Sequence, residues 1–316
     1  MGTKPTKQGG RYNPLNDFLF LKTMGEKGDE EQLLGFLNAV LGKSGEDQYS
    51  SVTILENRNL TADVVGDKSS ILDVRAVLQG GSKVNVEIQI RNQHNMEKRS
   101  LFYWGREFIK NIHEGENYRI LPKVITINII NFSFLPSKDF HTCFHLREDE
   151  DKTILTDALE IHFVDMVKWR KIKNKDIENN ALHRWLTWLN PKSRPELVEE
   201  VMKMDTAIQK AKEKQEVVLN DEETERLYFL RQLAYWDNIN ANEYAQEEAE
   251  KARKKGLEKG IKQGRKEGIK EGRNEGVKEE RARSMVEFAR KLKARGRPVE
   301  EIAEDTGLSM EAIVKL

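Results

Sequence analysis

Asp73, Glu87 and Gln89 carry side chains that could do chemistry. They fall in two short runs, SSILDVRAVL (69–78) and KVNVEIQI (83–90), split by Gln79-Gly80-Gly81-Ser82. Leu72, Val74, Ala76 and Leu78 share one face of the first run, and Val84, Val86, Ile88 and Ile90 share one face of the second. That two-residue period is the pattern of half-buried strands. Asp73, Glu87 and Gln89 then share the opposite, polar face. A glycine hairpin with an odd loop or a bulge pairs Leu72 with Ile88, Val74 with Val86 and Ala76 with Val84. Asp73 then stands directly across from Glu87, with side chains about 4.5–5.5 Å apart. A one-residue slip would turn every apolar side chain outward, so the pattern restricts the register. Two facing carboxylates repel unless something positive lies between them. A hard divalent cation suits such oxygen ligands, and Mg²⁺ in particular is often held by one or two carboxylates plus a substrate phosphate. Acidic residues are common on half-solvated strands, so the weight of the pattern depends on the elements around it.

Those elements come in a definite order. Residues 17–41 read as helix, broken near Gly25–Gly28, with Leu33, Leu34, Leu37, Val40 and Leu41 at helical spacing and Asp29 with Gln32 resembling a capping box. A strand is expected at 51–60, then the hairpin, then a helix over about 95–114, then a buried strand at LPKVITINII (121–130). In the long helix Leu101, Phe108, Ile109 and Ile112 form the expected buried stripe. Arg99, Tyr103, Arg106 and Lys110 recur at i, i+4, i+7 and i+11 on another face, a basic stripe able to hold phosphates.

The order of elements and their residues resemble the PD-(D/E)xK nuclease superfamily, and more narrowly the recombination-promoting nuclease or putative transposase family of bacteria. The matching stretches are Asn13-Pro14-Leu15-Asn16-Asp17-Phe18-Leu19-Phe20, Phe36 to Gly42, Leu72-Asp73-Val74-Arg75-Ala76, Asn85-Val86-Glu87-Ile88-Gln89 and Arg99 to Trp104. The likeness spans roughly residues 11–240 and is most specific from 70 to 104. It implies an α/β restriction-endonuclease-like core: helix, three-strand meander, helix and strand on a mixed sheet. It also implies a Mg²⁺-dependent DNA endonuclease tied to recombination or mobile DNA, with Asp73 and Glu87 as metal ligands and Gln89 at the superfamily's lysine position. Arg99 and Tyr103 lie within the family motif and, with Arg106 and Lys110, are the expected nucleic-acid contacts. Glutamine can hold a water or a phosphate but carries no charge. Lys68, Arg75, Lys83 and Arg91 are the nearby candidates for the missing positive group. The competing readings are a non-catalytic DNA-binding or regulatory protein with a degenerate nuclease core, and an assembly module.

Composition bounds the rest. The 316 residues carry 53 Lys+Arg and 53 Asp+Glu, so the formal net charge is zero. That is not the balance of a nucleic-acid coat protein, although a nuclease needs only a local basic patch. The single cysteine, Cys143, excludes an intramolecular disulfide and suits a reducing bacterial cytoplasm. No run reaches the ~18 apolar residues of a membrane span, and the polar start lacks a signal-peptide core.

His141, Cys143 and His145 share one face of a strand-like run, DFHTCFHL. Zinc sites want more ligands at recognised spacings. Residues 139–147 and 158–164 therefore read as an added hairpin on the sheet, with Cys143 as a small core residue.

Residues 165–250 are helical in character. Trp185, Trp188, Tyr228, Tyr235 and Trp236 are expected as packing anchors, and 196–226 as a solvated face. Beyond about 240 glycine recurs every four residues, at 256, 260, 264, 268, 272 and 276. Each costs a helix about 0.5–1 kcal/mol relative to alanine, so 241–283 is either a helix with a close partner or a charged linker. Residues 284–316 read as a small helix-turn-helix-like tail, in which Pro298 and Ser309 start helices. The expected division is a nuclease domain with helical extension over 11–240, the glycine-repeat segment and the tail, with self-association through the C-terminal helices.

Overall fold

The computed structural model describes residues 12–55, 65, 72–110 and 112–316, except for the side chains of 238–240, 242 and 243. They divide into two compact units, Met1–Ile239 and Asn240–Leu316. The first is an α/β unit on one six-stranded mixed sheet, followed along the chain by the helical second unit, as the sequence leads one to expect.

The strands are β1 (Val52–Ile54), β2 (Asp73–Leu78), β3 (Lys83–Gln89), β4 (Val124–Ile130), β5 (His141–Phe144) and β6 (Leu159–Asp165), in the order β1-β2-β3-β4-β6-β5. β1 to β3 form an antiparallel meander. β4 runs parallel to both β3 and β6, and β5 closes the far edge antiparallel to β6. The apolar run VITINII makes β4, which is buried along its whole length, as befits a central parallel strand covered on both faces. Residues 139–147 and 158–164 do contribute an added hairpin, β5 and β6.

The hairpin register is the one that the alternation dictates. Val74 lies opposite Val86, Ala76 opposite Val84, and Asp73 opposite Glu87. Gly80 and Gly81, at φ 88° and 89°, make the turn, a conformation that a side chain would strain.

Helices cover both faces of the sheet. On one, α1 (Asp17–Met24) and α2 (Glu30–Val40) pack with Val74, Val86, Ile88, Ile127 and Ile129 in the main core. The break between them falls at Gly25–Gly28, as expected. Asp29 is the N-cap of α2, but the expected capping box does not form. The Asp29 carboxylate instead accepts from the Glu26 amide and from the Gln32 side chain, closing the turn before the helix. The same core takes in α4 (Met166–Arg170), α5 (Ala181–Leu189), α6 (Pro195–Met204), α7 (Thr206–Leu219) and the start of α8 (Glu222–Ala294). Trp185, Trp188 and Tyr228 are buried anchors, whereas Trp236 is exposed. The charged stretch 196–226 is more than a solvated face, because Val198, Val201, Ile208 and Ala211 bury one side of α6 and α7.

α3 (Met96–Ile109) covers the other face. Its expected apolar stripe is not the buried one, since Leu101 and Ile109 are 52% and 60% exposed. Met96, Ser100 and Glu107 are buried instead. The reason lies in the sheet below, where Asn85, Glu87, Thr126 and Asn128 present buried polar groups. Ser100 Oγ meets Asn128 Oδ1 at 3.3 Å, and Asn128 Nδ2 donates to the His162 carbonyl at 3.1 Å. A polar helix face partners Glu87 and Asn128 here, where an apolar one would orphan them.

In the second unit the last turns of α8, then α9 (Val299–Thr306) and α10 (Met310–Val314), enclose a small core of Ala289, Leu292, Ile302 and Ile313. Pro298 is the N-cap of α9, and the Ser309 hydroxyl caps α10 by accepting from the Ala312 amide. The six repeated glycines lie within α8, and a side chain added at any of them would meet open space.

Candidate active site

Asp73 opens β2 where the chain enters the sheet, and Glu87 sits near the end of β3, where the strand is covered by α3. Direct cross-strand pairing puts both carboxyl groups on the polar face. Glu87 is only 3% exposed. Burial pushes the carboxyls of both residues above the usual carboxylate range. Asp73 is drawn partly back by Arg75 and Arg106, and Glu87 by Arg99, while the negative charges of Asp73 and Asp17 push Glu87 further up. The site is therefore a desolvated, mutually repelling acid pair that gains from a cation.

Arg99 is the group that sequence reasoning placed differently. Its Nη2 donates to Glu87 Oε1 at 2.5 Å, making it a direct partner of the buried carboxylate as well as a member of the helix stripe. Two guanidiniums lie against the Tyr103 ring, Arg99 5.4 Å and Arg106 5.0 Å from its centroid. Arg106 faces solvent. Lys110 follows the last turn of α3, 46% exposed, with Nζ 3.7 Å from Glu107 Oε1.

Among the expected positive groups, Lys83 donates to the Glu107 carbonyl at 3.4 Å and Arg75 Nη1 lies 3.9 Å from Glu107 Oε1. The Arg91 carbonyl accepts from Gln89 Nε2 at 3.3 Å, and Lys68 lies outside the described residues. Arg99 is hydrogen-bonded to Glu87 of the acid pair, and Arg75 is the charge felt most strongly at Asp73.

Asp17 is a second residue that the spacing analysis did not assign to the site. It begins α1, whose N-cap Asn16 accepts from the Leu19 amide, and its charge is felt at Glu87. Arg231 of α8 grips the Asp17 carboxylate through Nε at 2.9 Å and Nη2 at 2.6 Å. The neighbouring residues are tied to the same helix. Tyr12 donates to Glu225, and the Asn13 amide donates to the Tyr228 hydroxyl at 2.9 Å. No local spacing could reveal a contact that spans over two hundred residues.

A family model for PD-(D/E)XK nuclease family transposases matches residues 14–245. The chain belongs to this family. The matched stretch contains the acid pair, α3 and the part of α8 that holds Asp17. No curated protein and no solved structure matches the chain significantly. Family membership supports a nuclease-like or mobile-DNA role. Among the described residues no helix is long and apolar enough to cross a membrane.

A further cluster of polar side chains lies at the β5–β6 edge. Cys143 lies at the surface rather than in the core, and partial burial of its thiol, then the Glu160 charge, pushes its pKa up to about 11. Burial of the His141 ring, then the neighbouring His162, holds its pKa down at about 4, so it is a neutral imidazole. β6 brings Glu160 and His162 to this cluster, and both were legible in the alternation of ALEIHFV.

Proposed function

We propose that the protein is a Mg²⁺-dependent endonuclease that hydrolyses DNA phosphodiester bonds in recombination or mobile-DNA processing. The observation that carries this reading is the direct pairing of Asp73 with Glu87 on a buried polar face.

The residues fit a hard cation. The donors are carboxylate oxygens on rigid strands. Arg99 occupies one Glu87 oxygen and leaves the other. The neighbouring Asn85 Oδ1 is buried without a hydrogen-bond partner. Bound there by Asp73 and Glu87, Mg²⁺ would lower the pKa of a water and polarise a phosphoryl oxygen. Arg99 holds Glu87 in place and brings positive charge to where a phosphorane gathers negative charge. Gln89, at the superfamily's lysine position, orients a water or a phosphate oxygen through its amide. Tyr103, Arg106 and Lys110 line the approach for the DNA backbone.

The test is plasmid nicking by purified protein with Mg²⁺ or EDTA, beside the Asp73→Ala form. Unchanged cleavage by Asp73→Ala would show that the activity does not belong to this site. The ion pair between Arg99 and Glu87 favours a second reading, a DNA-binding protein with a degenerate core. A protein that binds plasmid but leaves it uncut under all metal conditions would establish that alternative.

For the C-terminal helices we assign self-association. Leu257, Ile261, Ile269 and Val277 are exposed, and each directly follows a repeat glycine. Small residues beside apolar ones let two helices approach closely. A reducing cytoplasm, where a lone cysteine persists unpaired, is the setting assigned to the protein.

A further inference from the structure

β5 and β6 bring together five side chains able to ligate or orient a metal. Cys143 and His162 are direct cross-strand partners, so both point to one face, with His141 two residues before Cys143 and Glu160 two before His162. His145 follows just beyond the end of β5. On β6 the intervening Ile161 and Phe163 pack in the core beneath α3, whereas Val164 belongs to the main core. Glu160 and His162 therefore face away from α3, on the side of the sheet opposite Asp73 and Glu87.

Three of these groups cluster tightly, and His145 stands beside them. Cys143 Sγ is 3.6 Å from His162 Nε2, which in turn lies 2.7 Å from Glu160 Oε1. His145 stands with Nδ1 3.8 Å from Cys143 Sγ and with Nε2 3.9 Å from Glu160 Oε2. The donor atoms of Cys143, Glu160 and His162 all lie within 4.8 Å of one another. Ligands held at about 2.0–2.3 Å in a tetrahedron stand roughly 3.3–3.8 Å apart, so binding would part the His162–Glu160 hydrogen bond and turn the His145 ring inward.

We propose that Cys143, His145, Glu160 and His162 form a second metal site, for Zn²⁺, at the β5–β6 edge of the sheet. The donor set decides the ion. Sulfur, two imidazole nitrogens and one oxygen suit zinc, whereas Mg²⁺ takes oxygen. Outer contacts are present as well. His141 Nε2 lies 2.9 Å from His162 Nδ1, an arrangement that leaves His162 Nε2 to the metal. Lys123 Nζ, 2.5 Å from Glu160 Oε2, holds the carboxylate from behind.

On binding, the thiol proton passes to water and the sulfur–zinc bond forms. Four protein ligands close the site, so its role is structural. It cross-links a four-residue edge strand, β5, to the sheet interior. The proposal goes beyond the nuclease reading and does not depend on it.

The experiment uses the full chain in an Asp73→Ala background, stripped with EDTA and titrated with zinc alone against a chromogenic chelator. One equivalent of zinc should bind, and cobalt in its place should show a sulfur-to-metal charge-transfer band. Removing an outer partner of a metal ligand commonly costs about 10–100-fold in affinity, so losing a ligand itself should cost about 100-fold or more in Cys143→Ser, with the band abolished. His145→Ala should weaken binding by at least about 10-fold, and the remote His113→Ala should not weaken it. Cys143 is exposed, so its serine form keeps the fold, checked by circular dichroism. Zinc should raise the Tm of the parent but not of Cys143→Ser. Equal zinc affinity in the parent and Cys143→Ser, or less than one equivalent bound by the parent, would overturn the proposal.

Discussion

Replacing Arg99 by methionine isolates the energetics of the acid pair. The Arg99 and Glu87 side chains are 17% and 4% exposed, and their closest atoms are 2.5 Å apart. With charge centres about 4 Å apart and an effective dielectric of about 20, their attraction is about 4 kcal/mol. Solvent around the partly exposed guanidinium reduces this to about 2–3 kcal/mol. Without Arg99, Glu87 is left buried beside Asp73 and Asp17, and its already raised pKa moves further up. A carboxyl whose pKa is raised on folding binds more protons in the folded state. Stability therefore falls as pH rises from the unfolded value through the folded one. The deficit of Arg99→Met should be about 2–3 kcal/mol at pH 8 and shrink as pH falls towards the unfolded carboxyl range. Adding Glu87→Gln should recover most of it at pH 8. Urea unfolding of the four members of this cycle at pH 8 and pH 5.5 measures both effects. A deficit that is the same at both pH values and unrelieved by Glu87→Gln would refute the argument that Arg99 acts by compensating a buried charge.

Asp73→Asn should abolish Mg²⁺-dependent nicking yet raise the metal-free Tm above that of the parent, because it removes one of two repelling buried acids; thermal melts with and without Mg²⁺ check both parts. Arg231→Met strips Asp17 of its partner and should destabilise the first unit by about 2–3 kcal/mol in urea titrations, with Asp17→Asn/Arg231→Met no worse than Arg231→Met alone. Truncation after residue 245 should leave one cooperative unfolding transition, because Glu225, Tyr228 and Arg231 are retained, whereas truncation after 220 should not. The longer truncate should also lose self-association by sedimentation, and an oligomeric state unchanged from that of the full chain would refute the assembly role. Arg106→Ala and Lys110→Ala should each lower the salt dependence of DNA binding by about one unit of slope, read from affinities at several salt concentrations.

The parts of the fold that could be read from sequence were those decided within a few residues. Asp73 and Glu87 could be placed opposite each other because alternation and a glycine turn leave one register that buries Val74, Val86 and Ala76. The buried face of α3 could not be read from apolar spacing. Leu101 and Ile109 look like core, but the polar sheet below selects Ser100 and Glu107. Cys143 and its two histidines were read without Glu160 and His162, which lie on the partner strand, and strand pairing joins what sequence separates. Arg99 was visible in the motif, but its grip on Glu87 depends on how α3 lies across the sheet.

The clasp of Arg231 on Asp17 also sets an order of events. Asp73 and Glu87 are joined by a tight hairpin, so a chain growing from its N-terminus can pair them as soon as that short segment is free. The residues from Tyr12 to Asp17 must wait, because their partners Glu225, Tyr228 and Arg231 are made more than two hundred residues later. In an unfinished chain the acid pair should therefore be able to form before the first helix is locked beside it. Ribosome-bound fragments that end before Arg231 should be accessible to proteases around residue 17 and become protected once that helix has emerged.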